Sequence, residues 1–428
     1  MKMAKSFLLG CAAGLVAITG AQAADLPVKA KPVRYVKICS MYGAGFYYIP
    51  GTDTCLKVGG YIRSEMNFNS GGSFSVKYGD HSARSYDFES TRLRFVASFD
   101  ARSQTEYGTL RSYFNLGMQA SNGGGGSNIP TYANRGFIQW AGITAGLADS
   151  FFDFYVSPRY GNSRNVLSSF VGGPGLSVFG YTARFGNGLS ATVAAEDTTG
   201  RRTTIYGQSY AGRQWPDFVG NLRIDQAWGS AQVMAAVHQV RGATSGEQVG
   251  WAAGAGLTIN LPWAKGDSFS TQFTYAKGAI NYVGNGFATG SISVSENGSN
   301  FAYGNIYDGV TNASNGLELT TGWSIVAGVD HRWNRHWKTS LYGGYADISY
   351  NSTAATVLNG GGSGNPNWTF AQIGSRTVWT PVRNLDISVD LMYNHAGTAT
   401  AQGGSDFLTA SDVGWLQGMF RLQRNFWP

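Results

Sequence analysis

Apolar side chains recur at every second position along most of this chain, with polar ones in the gaps. In LDISVDLMY (385–393), Leu385, Ile387, Val389, Leu391 and Tyr393 alternate with Asp386, Ser388, Asp390 and Met392. WSIVAGVDHRW (323–333) sets Trp323, Ile325, Ala327, Val329 and Trp333 against Ser324, Asp330 and Arg332, and FSTQFTY (269–275) alternates Phe and Tyr with Ser, Gln and Thr. VGGYIRSEMNF (58–68) puts Val58, Ile62, Met66 and Phe68 on one face and Tyr61, Arg63, Glu65 and Asn67 on the other. Successive side chains of a strand point to opposite faces, so these stretches predict long strands with one dry face and one wet face. TRLRFVASF (91–99) sharpens the pattern: Arg92 and Arg94 share a face with Val96 and Ser98, while Leu93, Phe95, Ala97 and Phe99 take the other.

The pattern runs from end to end. It predicts sixteen strands, near 57–68, 87–101, 105–119, 133–141, 143–150, 177–186, 188–197, 217–228, 230–240, 249–260, 267–278, 321–333, 337–348, 367–380, 384–394 and 412–426. Short links are expected at DARSQT (100–105), FGNG (185–188), WGSA (228–231), PWAKGD (262–267), WNRH (333–336) and PVRN (381–384). Between them lie long polar stretches at 69–85, 120–132, 151–176, 198–216, 279–320, 349–366 and 395–411. Short turns alternating with long loops over an even number of strands is the layout of an outer-membrane barrel. In hydrocarbon only helices and closed barrels satisfy their backbone groups. The arginine face is therefore expected to meet a water-filled lumen, which sixteen strands are enough to enclose.

Composition changes the picture in two respects. Charged residues make up 13% of the 428, about half the share usual in soluble domains, with 60 glycines and 14% aromatics. After the opening residues no apolar run approaches the roughly 18 residues of a membrane helix. The opening itself, with Lys2 and Lys5, an apolar run and Ala21-Gln22-Ala23, reads as a secretory signal peptide over 1–23. A lipoprotein signal ending at Cys11 is the alternative, with hardly any apolar segment before its cut. Loss of 23 residues leaves 405 and lowers the net charge from +7 to +5. No basic stripe of the kind that binds nucleic acid appears. Two cysteines remain, Cys39 and Cys55, expected as a disulfide in an oxidising compartment, worth on the order of 3 kcal/mol, or else as two buried thiols. The expected division is thus 1–23 signal peptide, 24–56 an N-terminal segment with its disulfide loop, and 57–428 the barrel.

The run CSMYGAGFYYIPGTDTCLKVGGYIR (39–63) resembles the N-terminal signature of the porin family of alphaproteobacteria, and RGFIQWAGITAGLADSFF (135–152) reads like strands leading into that family's pore-constricting loop. The resemblance implies an all-β, transmembrane, antiparallel up-and-down barrel of 16 strands. It implies a homotrimer in outer-membrane lipid whose third long loop, about 151–176, folds into the lumen. It also implies passive diffusion of small hydrophilic solutes and ions, without catalysis or cofactor. One departure is the ending FRLQRNFWP, where Phe426 is followed by Trp427 and Pro428 instead of closing the chain.

A diffusion pore sorts solutes by the width and field of its constriction. Arg63, Arg92, Arg94, Arg111 and Arg135 fall on wet-face positions of the first strands, and Asp149 and Asp153 fall at the entrance and on the body of the constricting loop. The expectation is a transverse field, with wall arginines facing loop carboxylates; the alternative is that the same pairs hold the loop in place. A substrate-selective sugar or anion channel is the competing function, with Tyr61, Tyr107 and Tyr113 as lumen aromatics. His81, His238, His331, His336 and His395 show no metal-ligand spacing, and there is no G-x-S-x-G elbow. GNGFATG (284–290) lies in a polar loop with no helix pattern behind it.

Overall fold

The computed structural model describes residues 37–69, 88–121, 130–162, 167–172, 175–284, 291–296, 299–360, 365–397, 399–403, 406–410 and 413–426. The expected signal peptide, residues 24–36 of the N-terminal segment, His81, residues 285–290 and the Trp427-Pro428 ending lie outside them. Of the two units into which the chain divides, Met1–Lys37 and Ile38–Pro428, the second carries every element described below.

Sixteen antiparallel strands form its wall. They are β1 Cys55–Phe68, β2 Glu89–Thr105, β3 Gly108–Ser121, β4 Thr131–Trp140, β5 Ile143–Ala148, β6 Leu176–Gly186, β7 Leu189–Glu196 and β8 Asp217–Gln226. There follow β9 Gly229–Arg241, β10 Glu247–Asn260, β11 Ser268–Lys277, β12 Thr321–Arg332, β13 Trp337–Ser349, β14 Trp368–Val382, β15 Leu385–Ala396 and β16 Val413–Asn425. Each pairs with the next in sequence, and β16 pairs back onto β1, from Tyr61 opposite Asn425 to Phe68 opposite Gly418. That last ladder closes the sheet and leaves no open edge.

The alternation read from the sequence becomes an inside and an outside. Leu93, Phe95, Val389, Leu391 and Tyr393 are exposed, while Arg92, Val96, Ser388, Asp390 and Met392 are buried. An exposed apolar band around a polar interior is the lipid-facing arrangement. A girdle of exposed aromatics marks one rim: Tyr107, Trp140, Trp228, Trp263, Trp333, Trp337 and Trp379 all stand at or beside the short turns. Tyr107 meets Trp140 edge-on at 5.6 Å, and Trp337 stacks on Trp379 at 5.8 Å. Amphipathic rings settle at the membrane–water interface.

Turn chemistry explains the tight links. At Asn187-Gly188 both residues have positive φ, 47° and 76°, as a two-residue hairpin turn matched to strand twist requires. One expected turn is displaced. DARSQT remains strand as far as Thr105, and the chain turns at Glu106-Tyr107, because Asp100 and Arg102 continue the inward alternation, with Asp100 accepting from both Arg102 and Arg111 on β3. The long stretches also hold more structure than their polarity suggests. Thr204–Tyr206, Tyr307–Thr311 and Leu317–Leu319 build a small three-stranded sheet from the stretches 198–216 and 279–320, and a helix spans Ser352–Leu358 with Asn351 as its cap.

Ahead of β1, Cys39 and Cys55 form a disulfide, with Phe46, Tyr42 and Tyr48 packed around it. Tyr47 and Tyr48 pair with Leu56 and Cys55, so this segment is a short hairpin continuous with the wall. Leu391→Arg, which aims a charge at lipid from the middle of β15, is expected to destabilise the barrel by about 2–4 kcal/mol. Urea unfolding in lipid vesicles checks this; an unchanged midpoint would mean that β15 does not face hydrocarbon.

Candidate functional site

Residues 149–162 leave the wall after β5 and turn into the barrel, and residues 167–172 lie beside them on the limb that precedes β6. Two features of the inner wall hold them there. The first is a set of glycines on inward positions, each occupied by a side chain of the loop. A methyl group on Gly180 would lie 2.6 Å from the Phe151 ring, and one on Gly256 would lie 2.2 Å from Phe154. One on Gly328 would meet both Tyr155, at 2.6 Å, and Tyr160, at 2.7 Å. These glycines are recesses in the wall, and no larger residue fits there without moving the loop. Tyr155 and Tyr160 stack at 5.0 Å, and Phe152 meets Tyr282 edge-on, so the loop's apolar side chains form a dry cluster inside the barrel.

The second is a sequence of polar anchors running round the wall. Glu196 accepts from Ser150 Oγ at 2.6 Å and from the Phe151 amide at 2.7 Å, and Asn221 donates to the Phe151 carbonyl at 2.6 Å. Gln272 accepts from the Phe154 and Tyr155 amides and donates to Ser169, tying both limbs of the loop to β11. The far end reaches β14–β16. Arg376 donates to the carbonyls of Pro158 and Arg159. Asn162 is held on every side: its amide N–H donates to Asp390, its Nδ2 to Ser388 at 2.7 Å, and its Oδ1 accepts from Arg421 at 2.7 Å. A buried amide with its polar groups satisfied is a rigid latch. The loop thus leans on the wall from β6 round to β16.

The two loop carboxylates sit at its root. Asp149 pairs with Arg135, which also donates to the Gly172 carbonyl at 3.0 Å on the returning limb. Asp153 is buried, with Arg201 donating to Oδ1 at 2.9 Å and the Val171 amide to Oδ2 at 2.8 Å. Burial raises the Asp153 carboxyl above its usual range, against the pull of Arg201. Arg201, itself fully buried, also donates to the Ser169 carbonyl and lies over the Tyr282 ring at 4.3 Å. Asp153 therefore does not face the lumen arginines across open water; it fastens the two limbs of the loop together.

Arg63, Arg92, Arg94 and Arg111 stand on the next stretch of wall, β1–β3. Register places Arg63 directly opposite Arg94, and Arg102 directly opposite Arg111. Like charges so placed repel. Each pair is held by neighbours: Asp100 takes both Arg102 and Arg111, and Glu65, fully buried, pairs with Arg92 and Arg421 and lies 3.7 Å from Arg63. Arg63 also donates to Gln423 at 2.7 Å and Arg94 to Gln119 at 2.9 Å. Aromatic rings carry the guanidinium planes: Arg63 lies over Tyr61, Arg94 over Tyr132, and Arg111 over the stacked pair Tyr113 and Phe137. Tyr107 sits on the rim with Trp140, so of the three tyrosines expected to line a sugar path one is outside and two are covered by arginines.

Sequence reasoning missed Asn162, Arg376 and Arg421 on the latch and Arg201 at the root. The inward parity of Arg376 and Arg421 was readable; their pairing with a loop more than 200 residues away was not. Among the described residues no group of three metal-ligating side chains occurs.

The porin subfamily model matches residues 25–414. Porin Omp2b of Brucella suis is 36% identical over 253 residues, covering 53% of this chain and 64% of its own, and Porin Omp2b of Brucella abortus is 36% identical over 242 residues. The chain thus spans somewhat under two thirds of the relatives it matches. Among solved structures it is similar in fold to the outer-membrane channel DcaP of Acinetobacter baumannii, with a TM-score of 0.63 at 14% identity over 89% of this chain and 99% of that one. It is also similar to an anion-selective porin from Comamonas acidovorans, with a TM-score of 0.50 at 11% identity over 87% and 100%. A family match over nearly the whole chain, on a closed sixteen-stranded barrel with a loop drawn across its inside, makes this chain a member of the porin subfamily.

Proposed function

We propose that the chain forms a water-filled channel for passive diffusion of small hydrophilic solutes and ions across the bacterial outer membrane, as a homotrimer delivered by a cleaved signal peptide. The observation that carries this reading is the inner surface: a wall of arginines beside a loop pinned across the barrel, inside a shell whose outer face is apolar. A channel of this kind needs positioned charge and a fixed width, not a reacting group, and the proposal treats the chain as a non-enzyme. Arg63, Arg92, Arg94 and Arg111 set the field on one side of the passage. Arg135, Asp149 and Asp153 act by holding the loop at its root.

A sugar-selective channel is less well supported, since Tyr61 and Tyr113 offer no uncovered aromatic row. Arginines outnumber the carboxylates they share along β1–β3 and β16, which favours anions over cations in transit.

Single-channel recording of the refolded oligomer in a planar bilayer tests the reading. Ohmic steps are expected, with a reversal potential in a KCl gradient of the sign set by chloride; a folded oligomer that passes no current would overturn it. Arg201→Met strands the buried Asp153 carboxylate, at a cost of about 3–5 kcal/mol. The expected result is faster proteolytic cleavage between residues 149 and 172 and noisier open channels, with the barrel still folded; unchanged cleavage and noise would show that this pair does not secure the loop.

A further inference from the structure

A cavity of about 480 Å³ opens between the far end of the crossing loop, at Pro158 and Asn162, and the short-turn rim of β12–β16. Six cationic side chains line it, Arg63, Arg332, Arg335, Lys338, Arg376 and Arg421, with Asp386 as the carboxylate on its surface. Asp386 accepts the Thr380 hydroxyl at 2.6 Å. The carboxylates behind the wall are already engaged. Asp330 takes Lys338 at 3.0 Å and Ser340 at 2.5 Å, with Arg159 at 3.6 Å; Asp390 takes the Asn162 amide and the Tyr342 hydroxyl; Glu65 takes Arg92 and Arg421. Counting these and Asp267, which accepts from the Arg332 amide, together with the extra arginines they serve, eight cationic groups face five carboxylates. The surplus points into the cavity.

Position separates this place from a generally basic wall. The guanidinium groups of Arg376 and Arg421 are fixed by the far end of the loop. At the other end Arg332 and Arg335 are exposed on the turn, and so reach a solute before it arrives at the pinned loop. Fixed cations inside and exposed cations outside suit a site that captures and then releases, as conduction requires.

We propose that this cavity is a weak binding site for small oxyanionic solutes, those bearing carboxylate or phosphate groups, so that their flux saturates where that of neutral solutes does not. The site rests on the channel reading above and deepens it by naming a solute class. Inorganic phosphate is the probe. With the full-length oligomer in a planar bilayer at constant KCl, adding phosphate on the short-turn side is expected to lower the chloride current along a saturating curve. Half-block is expected on the order of millimolar, as for a contact of a few kcal/mol. In Arg332→Gln/Arg335→Gln the half-blocking concentration is expected to rise at least tenfold. Current that is insensitive to phosphate, or an equal block in the variant, overturns the site while leaving the channel standing. Absence of any current in KCl alone from the folded oligomer overturns the channel reading first.

Discussion

A strand in hydrocarbon has no water to accept its backbone hydrogen bonds, and that constraint organises this molecule. It requires the sixteenth strand to pair with the first, which the ladder from Tyr61 to Phe68 accomplishes. Closure gives every strand one lipid face and one enclosed face. A charge directed outward costs several kcal/mol, so the arginines of TRLRFVASF and YIRSE collect on the inside. What resembles an awkward mixture in a single strand is the ordinary result of a closed sheet.

Closure also creates a problem that the crossing loop solves. A barrel of this size is wider than its side chains can fill, and a free loop inside it would lose conformational entropy on the order of a kcal/mol per ordered residue. Two kinds of contact offset that loss. Aromatic side chains enter recesses where the wall carries Gly180, Gly256 and Gly328, and buried polar groups fasten the ends, Asp153 with Arg201 at the root and Asn162 with Asp390, Ser388 and Arg421 at the far side. The same arginines that repel one another along β1–β3 are tolerated because Glu65 and Asp100 are each shared between two or more of them.

Much of this was legible in the sequence, because a period of two is a local signal and each strand carries it independently. All sixteen strands appear within a few residues of their expected places, and Arg63, Arg92, Arg94 and Arg111 face inward as parity required. The displaced turn at Glu106-Tyr107 escaped because DARSQT looks polar enough to bend, although its charges were following the inward alternation. The loop's anchorage was not legible for a different reason. Asn162 meets Asp390 and Arg421 only after the barrel has closed, and nothing local in SPRYGN announces partners on β15 and β16. Glycines at inward positions of β6, β10 and β12 were the one available hint, since Gly weakens a strand unless something must approach its backbone closely.

A loop latched at Asn162 would set the width of the passage. Single-channel conductance of Asn162→Ala, recorded in KCl beside the parent protein from oligomers with matched heat stability, tests this directly. Loss of the latch predicts a larger conductance and increased open-channel noise as the loop end leaves β14–β16. Conductance and noise identical to the parent would contradict it and would place the constriction elsewhere in the lumen.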